Sequence, residues 1–389
     1  MKRTSSFDVL TDRRNTGSCK WEAYAHLTKD GDCIPLTVAD MELPIAEPIK
    51  AALVAAAQHG ICGYTQVDEL YLNALTGFMK RHHGLEITEK NLICTSGIVP
   101  AFGIVLRALT QKGDGIIVQP PVYTPFFDAI RANERVILEN PLLFDGKEYR
   151  MDYAGLEELC KSGAKLLMLC SPHNPVGRVW TREELQMTGD ICKKYGVVIL
   201  CDEIHNDMAL ESTHTALATL PGMKDIVITC TAMSKTFNLA GLMLSNIFIF
   251  NEDMYKKVDR QLGLDGSHCI PYFGRAASIA AFSECDEWIE ELKDYLRGNF
   301  ELCYNYIAEN MPNLECIRAE GTYLLWVNCK KLGLSDKELL KRFEEEKVPV
   351  NPGTMFGTGG SGFVRINVAM PRESLMIALE KIKKAVNVK

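Results

Sequence analysis

No Cys-x-x-Cys pair occurs in this chain, although it holds 14 cysteines. A zinc ribbon needs that spacing, so zinc is not expected. The cysteines are scattered along a long chain, which also disfavours a disulfide scaffold. Cys94, Cys170, Cys201 and Cys230 sit inside apolar runs, where a thiol packs as a small core residue. Such usage fits a reducing cytoplasm. No apolar run approaches the ~20 residues of a membrane-spanning helix. The polar stretch Met1 to Thr16 lacks the apolar core of a signal peptide. No long basic block is present and the formal net charge is −7, so nucleic acid is not an expected partner. Internal repeats and low-complexity tracts are absent too, so a repeat architecture is not expected.

What is present reads as a soluble enzyme. The 389 residues exceed what one compact core holds, and 47% apolar with 24% charged residues is ordinary for a globular protein. Short runs rich in Ile, Val and Leu predict strands at Leu92–Thr95, Gly115–Gln119, Leu166–Cys170, Val197–Cys201, Ile226–Cys230 and Leu244–Phe250. They lack strict alternation, as strands buried on both faces do. Helical patterns lie between them: Val99–Leu109 puts Phe102, Val105, Leu106 and Leu109 on one face, and Thr181-Arg-Glu-Glu184 reads as a capping box. This βαβ order predicts an α/β fold with a mostly parallel central sheet. From about Asp286 the pattern changes to a charged helix, a strand near Gly321–Asn328, a helix at Asp336–Glu346, a Gly-rich loop and a strand at Phe363–Val368. The expected division is a large domain over 48–285 and a smaller α+β domain from 1–47 and 286–389, with an N-terminal arm.

The candidate chemistry starts at Lys235, in Met233-Ser234-Lys235-Thr236-Phe237-Asn238-Leu239-Ala240-Gly241. A lysine amine there can form a Schiff base with an aldehyde cofactor. Asp202 ends a buried strand, and a carboxylate at that end points into the crevice where such sheets bind ligands; alone it also reads as a helix cap. Asn174, before Pro175, could donate to a phenolic oxygen or could simply shape a turn. Ser96-Gly97-Ile98 joins a strand to a helix, where free backbone N–H groups suit a phosphate. Tyr123 could stack on a flat ring or pack in the core. Arg365, inside a strand pattern, could grip a carboxylate in a bidentate fork or sit in an ion pair. The pair His82-His83 precedes Gly84 and reads as a solvated helix end rather than a metal site.

Taken together and in order, Asn174, Asp202, Lys235 and Arg365 resemble the constellation of fold-type I enzymes dependent on pyridoxal 5′-phosphate (PLP), the aspartate-aminotransferase superfamily. The resemblance covers nearly the whole chain and implies an aspartate-aminotransferase-like fold. It implies that Lys235 carries the cofactor, with Ser234 beside it. Asp202 would pair with the pyridinium nitrogen and Asn174 would donate to the phenolate oxygen. Arg365 would clamp the substrate carboxylate, Tyr123 would flank the ring, and Gly97 and Ile98 would hold phosphate. Tyr64 matches a tyrosine that reaches the phosphate of a neighbouring subunit, so a homodimer with shared sites is implied.

Within the superfamily, Val38-Ala39-Asp40-Met41, Asp202-Glu203-Ile204-His205 and the Lys235 segment resemble the bacterial carbon–sulfur lyases, the cystathionine β-lyases of the MalY/PatB type. His205 stands where aminotransferases carry Tyr, and Met243 where they often carry Arg. Thr37 departs from that branch, which usually has Trp there. The implied reaction is β-elimination from L-cystathionine or a related cysteine S-conjugate to thiol, pyruvate and ammonia. The alternatives are an aminotransferase, which shares the early steps, and a non-catalytic PLP-binding regulator. The intact Lys235, Asp202 and Arg365 argue against the last. His205 is expected close to Asp202.

Overall fold

The computed structural model describes residues 7–28, 32–267 and 269–387. Its centre is a seven-stranded sheet of β1 (Leu92–Thr95), β2 (Gly115–Val118), β3 (Val136–Glu139), β4 (Leu166–Cys170), β5 (Val198–Asp202), β6 (Val227–Thr231) and β7 (Ser245–Ile249). The order is β1-β7-β6-β5-β4-β2-β3. Pairing is parallel from β3 through β2, β4 and β5 to β6. Only β7 is reversed, antiparallel to both β6 and β1. Alternate residues feed two separate cores: Leu167, Leu169, Ile199 and Cys201 pack on one face, Leu166, Met168, Leu200 and Ile228 on the other. Both faces being buried, the strands need apolar residues at every position, which is why their sequences run continuous. β3 was not expected. It is an edge strand with exposed ends, and its apolar run, Val136-Ile137-Leu138, is short and only partly buried.

Helices cover both faces. The helix Ile98–Leu109 follows β1 directly, and Arg182–Lys194 opens with the expected capping box between Thr181 and Glu184. A second, antiparallel sheet comprises β8 (Glu315–Ile317), β9 (Leu324–Asn328), β10 (Asn351–Pro352) and β11 (Phe363–Asn367), in the order β8-β9-β11-β10. The helices Asp286–Asn310, Asp336–Glu345 and Arg372–Val386 accompany it. The N-terminal segment joins this sheet: Ile34 donates to the carbonyl of Lys347, Leu36 to that of Pro349, and Asn367 to that of Leu36. A seam ties the second sheet to the first. Glu320 and Gly321 donate to the Gly177 carbonyl, Thr322 to that of Met208, and Leu210 to that of Glu320. The strand ends of β4, β5 and β6 therefore face β11 across a cleft. Among the described residues no helix is long and apolar enough to cross a membrane.

Candidate active site

The cleft holds a cavity of about 430 Å³. Nine of the ten site residues expected from the sequence line it: Gly97, Ile98, Tyr123, Asn174, Asp202, His205, Ser234, Lys235 and Arg365. Tyr64 does not. It is fully exposed on the surface of the described chain.

Lys235 lies on the short helix Met233–Thr236, just past the end of β6. Two anchors fix that turn. The buried Phe237 stacks on Trp288 at 6.0 Å and meets Phe78 and Phe282 edge-on or tilted; aromatic contacts of this kind add about 0.5–1.5 kcal/mol each beyond area burial. Thr236 Oγ1 donates to the buried Asp207 carboxylate at 2.6 Å. Asn238, in the left-handed region at φ 59°, ties the following loop to the N-terminal segment. It accepts from Met41 N–H and donates to the carbonyls of Met41 and Leu43. Lys235 Nζ donates to the Ala39 carbonyl at 2.5 Å. Burial brings the amine down to about 8, and Arg365 adds to that, while Asp40 and Asp202 pull the other way. The lysine is thus poised to give and take a proton near neutral pH.

Asp202 is the last residue of β5, buried beside Cys170 of β4. Its Oδ1 accepts from the Ile204 N–H at 3.1 Å in a tight turn, and it caps no helix: the short helix Asn206–Met208 that follows starts after His205. Burial raises the carboxyl to about 7, against the opposing effects of that N–H and of Lys235. A buried carboxyl with one hydrogen bond lacks a full partner, and the open side faces the cavity. His205 is buried as well, its ring edge against Tyr323 at 5.7 Å and its Nδ1 without a protein partner. Burial, then Lys235 and Arg365, hold its pKa well below the usual histidine range, so it stays neutral. The half-buried Tyr123 packs edge-on against Phe126, and burial pushes its hydroxyl up to about 12. It is a neutral flat wall.

Arg365 sits in the middle of β11, nearly fully buried, and no ion pair among the described residues holds it. Nη1 donates to Asn174 Oδ1 at 2.9 Å and Nη2 to Asn351 Oδ1 at 2.7 Å, while the guanidinium lies over the Phe356 ring at 4.9 Å. Its Nε is buried without a partner. A buried cation held only by neutral amides is an invitation to an anion, since an unpaired buried charge is costly. The bond to Arg365 also orients Asn174: with its oxygen engaged, the amide N–H₂ group is the side left free.

Gly97 (φ 125°) breaks the chain between β1 and the helix Ile98–Leu109, and only glycine adopts that conformation without strain. The first N–H groups of this helix open onto the cavity, a geometry that suits a phosphate. Met243 and Leu244 lie opposite, bringing no charge. The Gly-rich loop contributes Met355 and Phe356 to the wall. Sequence reasoning missed Asn351, Tyr323 and the Ala39 carbonyl. The first two carry no motif of their own, and a backbone acceptor has no signature at all. The reading of His83 needs correction. Its side chain is not solvated but buried, with Nε2 2.7 Å from Asp207 Oδ1, because Asn206–Met208 folds back over the helix end; His82 pairs with Asp286. Among the described residues no group of three or more His, Cys, Asp or Glu side chains is placed to hold a metal ion.

Comparison with known proteins places this geometry. The model of the aminotransferase class I and II family matches residues 31–382. The chain is 37% identical over 386 residues to cystathionine beta-lyase PatB of Bacillus subtilis, covering 98% of this chain and 100% of that one. A PLP-bound putative aminotransferase from Clostridium difficile 630 superposes with a TM-score of 0.95 at 39% identity, over 98% of this chain and 100% of that chain. The PLP-bound C-S lyase from Staphylococcus hominis gives 0.93 at 30% identity, over 100% and 99%.

Proposed function

The chain belongs to the class I and II aminotransferase family, and from that membership we propose that it is a PLP-dependent carbon–sulfur β-lyase, cleaving L-cystathionine or a related cysteine S-conjugate to a thiol, pyruvate and ammonia. The observation that carries the reading is the convergence of Lys235, Asp202, Asn174 and Arg365 on one cavity. The full-length similarity to a cystathionine β-lyase supports elimination over transamination.

The donor set fits PLP. The Lys235 amine suits the aldehyde, the buried Asp202 carboxyl suits a pyridinium N–H, and the free amide of Asn174 suits the phenolate oxygen. The helix start at Gly97-Ile98 suits the phosphate, and Tyr123 offers the ring a flat wall, with His205 and Ser234 completing the lining. When bound, the cofactor supplies the electron sink that allows a Cα–H bond and then a Cβ–S bond to break.

Arg365 binds the substrate α-carboxylate through its unpaired Nε–H and the guanidinium edge, while Asn174 and Asn351 keep the fork in plane. The Lys235 amine, brought near neutrality by burial, takes the Cα proton onto Nζ as general base. The same Nζ can then hand a proton to the departing sulfur. Asp202 keeps the proton on the pyridine nitrogen, and the neutral His205 lines the same cavity without competing for that proton. The 2-aminoacrylate released hydrolyses to pyruvate and ammonia. Among the cavity-lining residues, Lys235 and Arg365 are the sole cations, so one carboxylate clamp is provided.

The working unit in this reading is a homodimer. Val54, Ile61, Tyr64, Leu70 and Leu264 are large apolar side chains left at least half exposed, a pattern expected where a second copy packs. Tyr64 would reach the partner's phosphate. An assay of end products from L-cystathionine, with and without a 2-oxo acid, tests the function. Pyruvate and free thiol without any 2-oxo acid support the lyase; turnover that depends on the 2-oxo acid and yields a new amino acid replaces it with an aminotransferase.

A further inference from the structure

Two cations and two carboxylates meet beneath the N-terminal arm, one residue away from the acceptor of the Lys235 amine. Arg13 bonds Asp40 at 2.7 Å and Glu42 at 2.9 Å. Lys20, wholly buried, lies 2.8 Å from Asp40 and 2.9 Å from Glu42, and donates to the Asp40 carbonyl at 2.7 Å. Trp21 Nε1 closes the group on the second oxygen of Glu42. A fully buried lysine is rare, because removing its charge from water costs several kcal/mol that pairing repays only with good geometry. Apolar residues of similar volume would pack the arm at lower cost, so tight packing of the arm does not explain this arrangement.

The cluster reaches the backbone of residues 38–41 at two points, Lys20 Nζ on the Asp40 carbonyl and Arg13 Nη1 on the Met41 carbonyl at 3.4 Å, and groups outside it hold the rest. Asn367 Nδ2 donates to the carbonyls of Val38 and Asp40, and Tyr323 Oη donates to that of Ala39 at 2.9 Å. Val38 is held at φ 30°, a conformation that a β-branched residue adopts only under constraint. The Ala39 carbonyl thus receives two donors, Tyr323 and Lys235.

We propose that the Arg13–Lys20–Asp40–Glu42 cluster is a positioning device for catalysis: by holding the backbone at residues 40 and 41 it sets the carbonyl against which the Lys235 amine is held, and so governs the proton transfer made by that amine. The proposal rests on the reading of Lys235 as the catalytic base. Arg13, Lys20 and Tyr323 touch no reacting atom and act through Ala39. The cluster also balances charge. Asp202, Arg365, Asp40 and Lys20 all act on the Lys235 nitrogen, Asp40 favouring its protonated form and Lys20 disfavouring it; Tyr323 and His205 face it as neutral groups. Removing Arg13 leaves Asp40 less compensated.

The test is Arg13→Ala in the PLP-loaded enzyme, read by kcat, by KM and by the pH at which the lysine-bound cofactor changes its visible absorbance. The expected result is kcat lower by about tenfold, the scale of a small misplacement of a catalytic group, with KM within about twofold. The absorbance midpoint moves to higher pH, and Arg13→Lys recovers most of both. Wild-type kcat and an unmoved midpoint overturn the proposal. So does a kcat loss that only tracks lost cofactor content, with no midpoint shift and no recovery in Arg13→Lys. Should Arg13→Ala fail to fold, Glu42→Gln removes one charge of the same cluster at nearly constant shape; wild-type kcat and an unmoved midpoint there count against the proposal in the same way. The absorbance midpoint is read before substrate is added, so a protein without lyase activity would sink the proposed function while leaving this comparison legible.

Discussion

Arg365 and Asn174 are 191 residues apart in the chain and 2.9 Å apart in the fold, joined from Nη1 to Oδ1. The group assigned to the substrate and the group assigned to the cofactor are one hydrogen-bonded unit, with Asn351 closing its other end. Arg365→Lys keeps the charge but not the fork. It is expected to lower kcat/KM by roughly a hundredfold. Asn351→Ala leaves the guanidinium in place but unbraced, so KM should rise by about tenfold while kcat stays within about twofold. Steady-state kinetics with L-cystathionine check both, and a fall in kcat alone for Asn351→Ala would mean that Asn351 has a different role.

Lys235→Ala removes both the covalent anchor and the general base. Turnover should fall by at least about 10³-fold, and the visible absorbance of lysine-bound cofactor should vanish. A purified variant that keeps that absorbance would sink the assignment.

Asp202 offers a pH signature in the cofactor-free protein. Burial raises its folded carboxyl to about 7, above the ordinary aspartate value. Between those two values the folded protein binds the proton and the unfolded chain does not, so stability falls as pH rises from about 4 to about 7. Asp202→Asn removes that loss. Urea unfolding at pH 5 and pH 8 should show the variant gaining relative to wild type as pH rises, by at most about 3 kcal/mol. The comparison must be a difference between the two proteins, because the neighbouring Glu203, also raised to about 7 by burial, titrates in both. Equal pH dependence in both proteins would mean that Asp202 is already ionised without the cofactor.

Tyr64 is fully exposed in the described chain. If it serves a partner's phosphate, Tyr64→Phe should weaken PLP binding by about tenfold, as expected for losing a hydrogen bond to a charged group, without changing the oligomeric state measured by sedimentation. A wild-type protein that sediments as a monomer would remove this role.

The strand ends were the legible part of this site. Asp202 and Lys235 were found because each closes or follows a continuous apolar run, and such runs mark strands buried on both faces. The limits of β4, β5, β6 and β7 shifted by a residue or less from expectation. β3 escaped because its apolar run is only Val136-Ile137-Leu138, set between the charged Arg135 and Glu139. Asn351 and Tyr323 escaped because their work is done across long-range pairings: Asn351 lies beside Arg365 only through the register of β10 on β11. His83 was misjudged because its neighbours in sequence are polar, whereas its neighbours in space are Asp207 and His214.

The reversal of β7 has a consequence for how this pocket can change. Thr95, the last residue of β1, pairs with Ser245, the first residue of β7. One uninterrupted stretch, 234–245, therefore leaves the cavity after Lys235 and re-enters it at Ala240 and Met243, walling two sides of the same chamber. Met243 occupies a left-handed turn at φ 51° and is half exposed. Its side chain can be exchanged with little disturbance to the core, and the side of the chamber that faces the helix start at Gly97-Ile98 can drift independently of the lysine that the same stretch holds still.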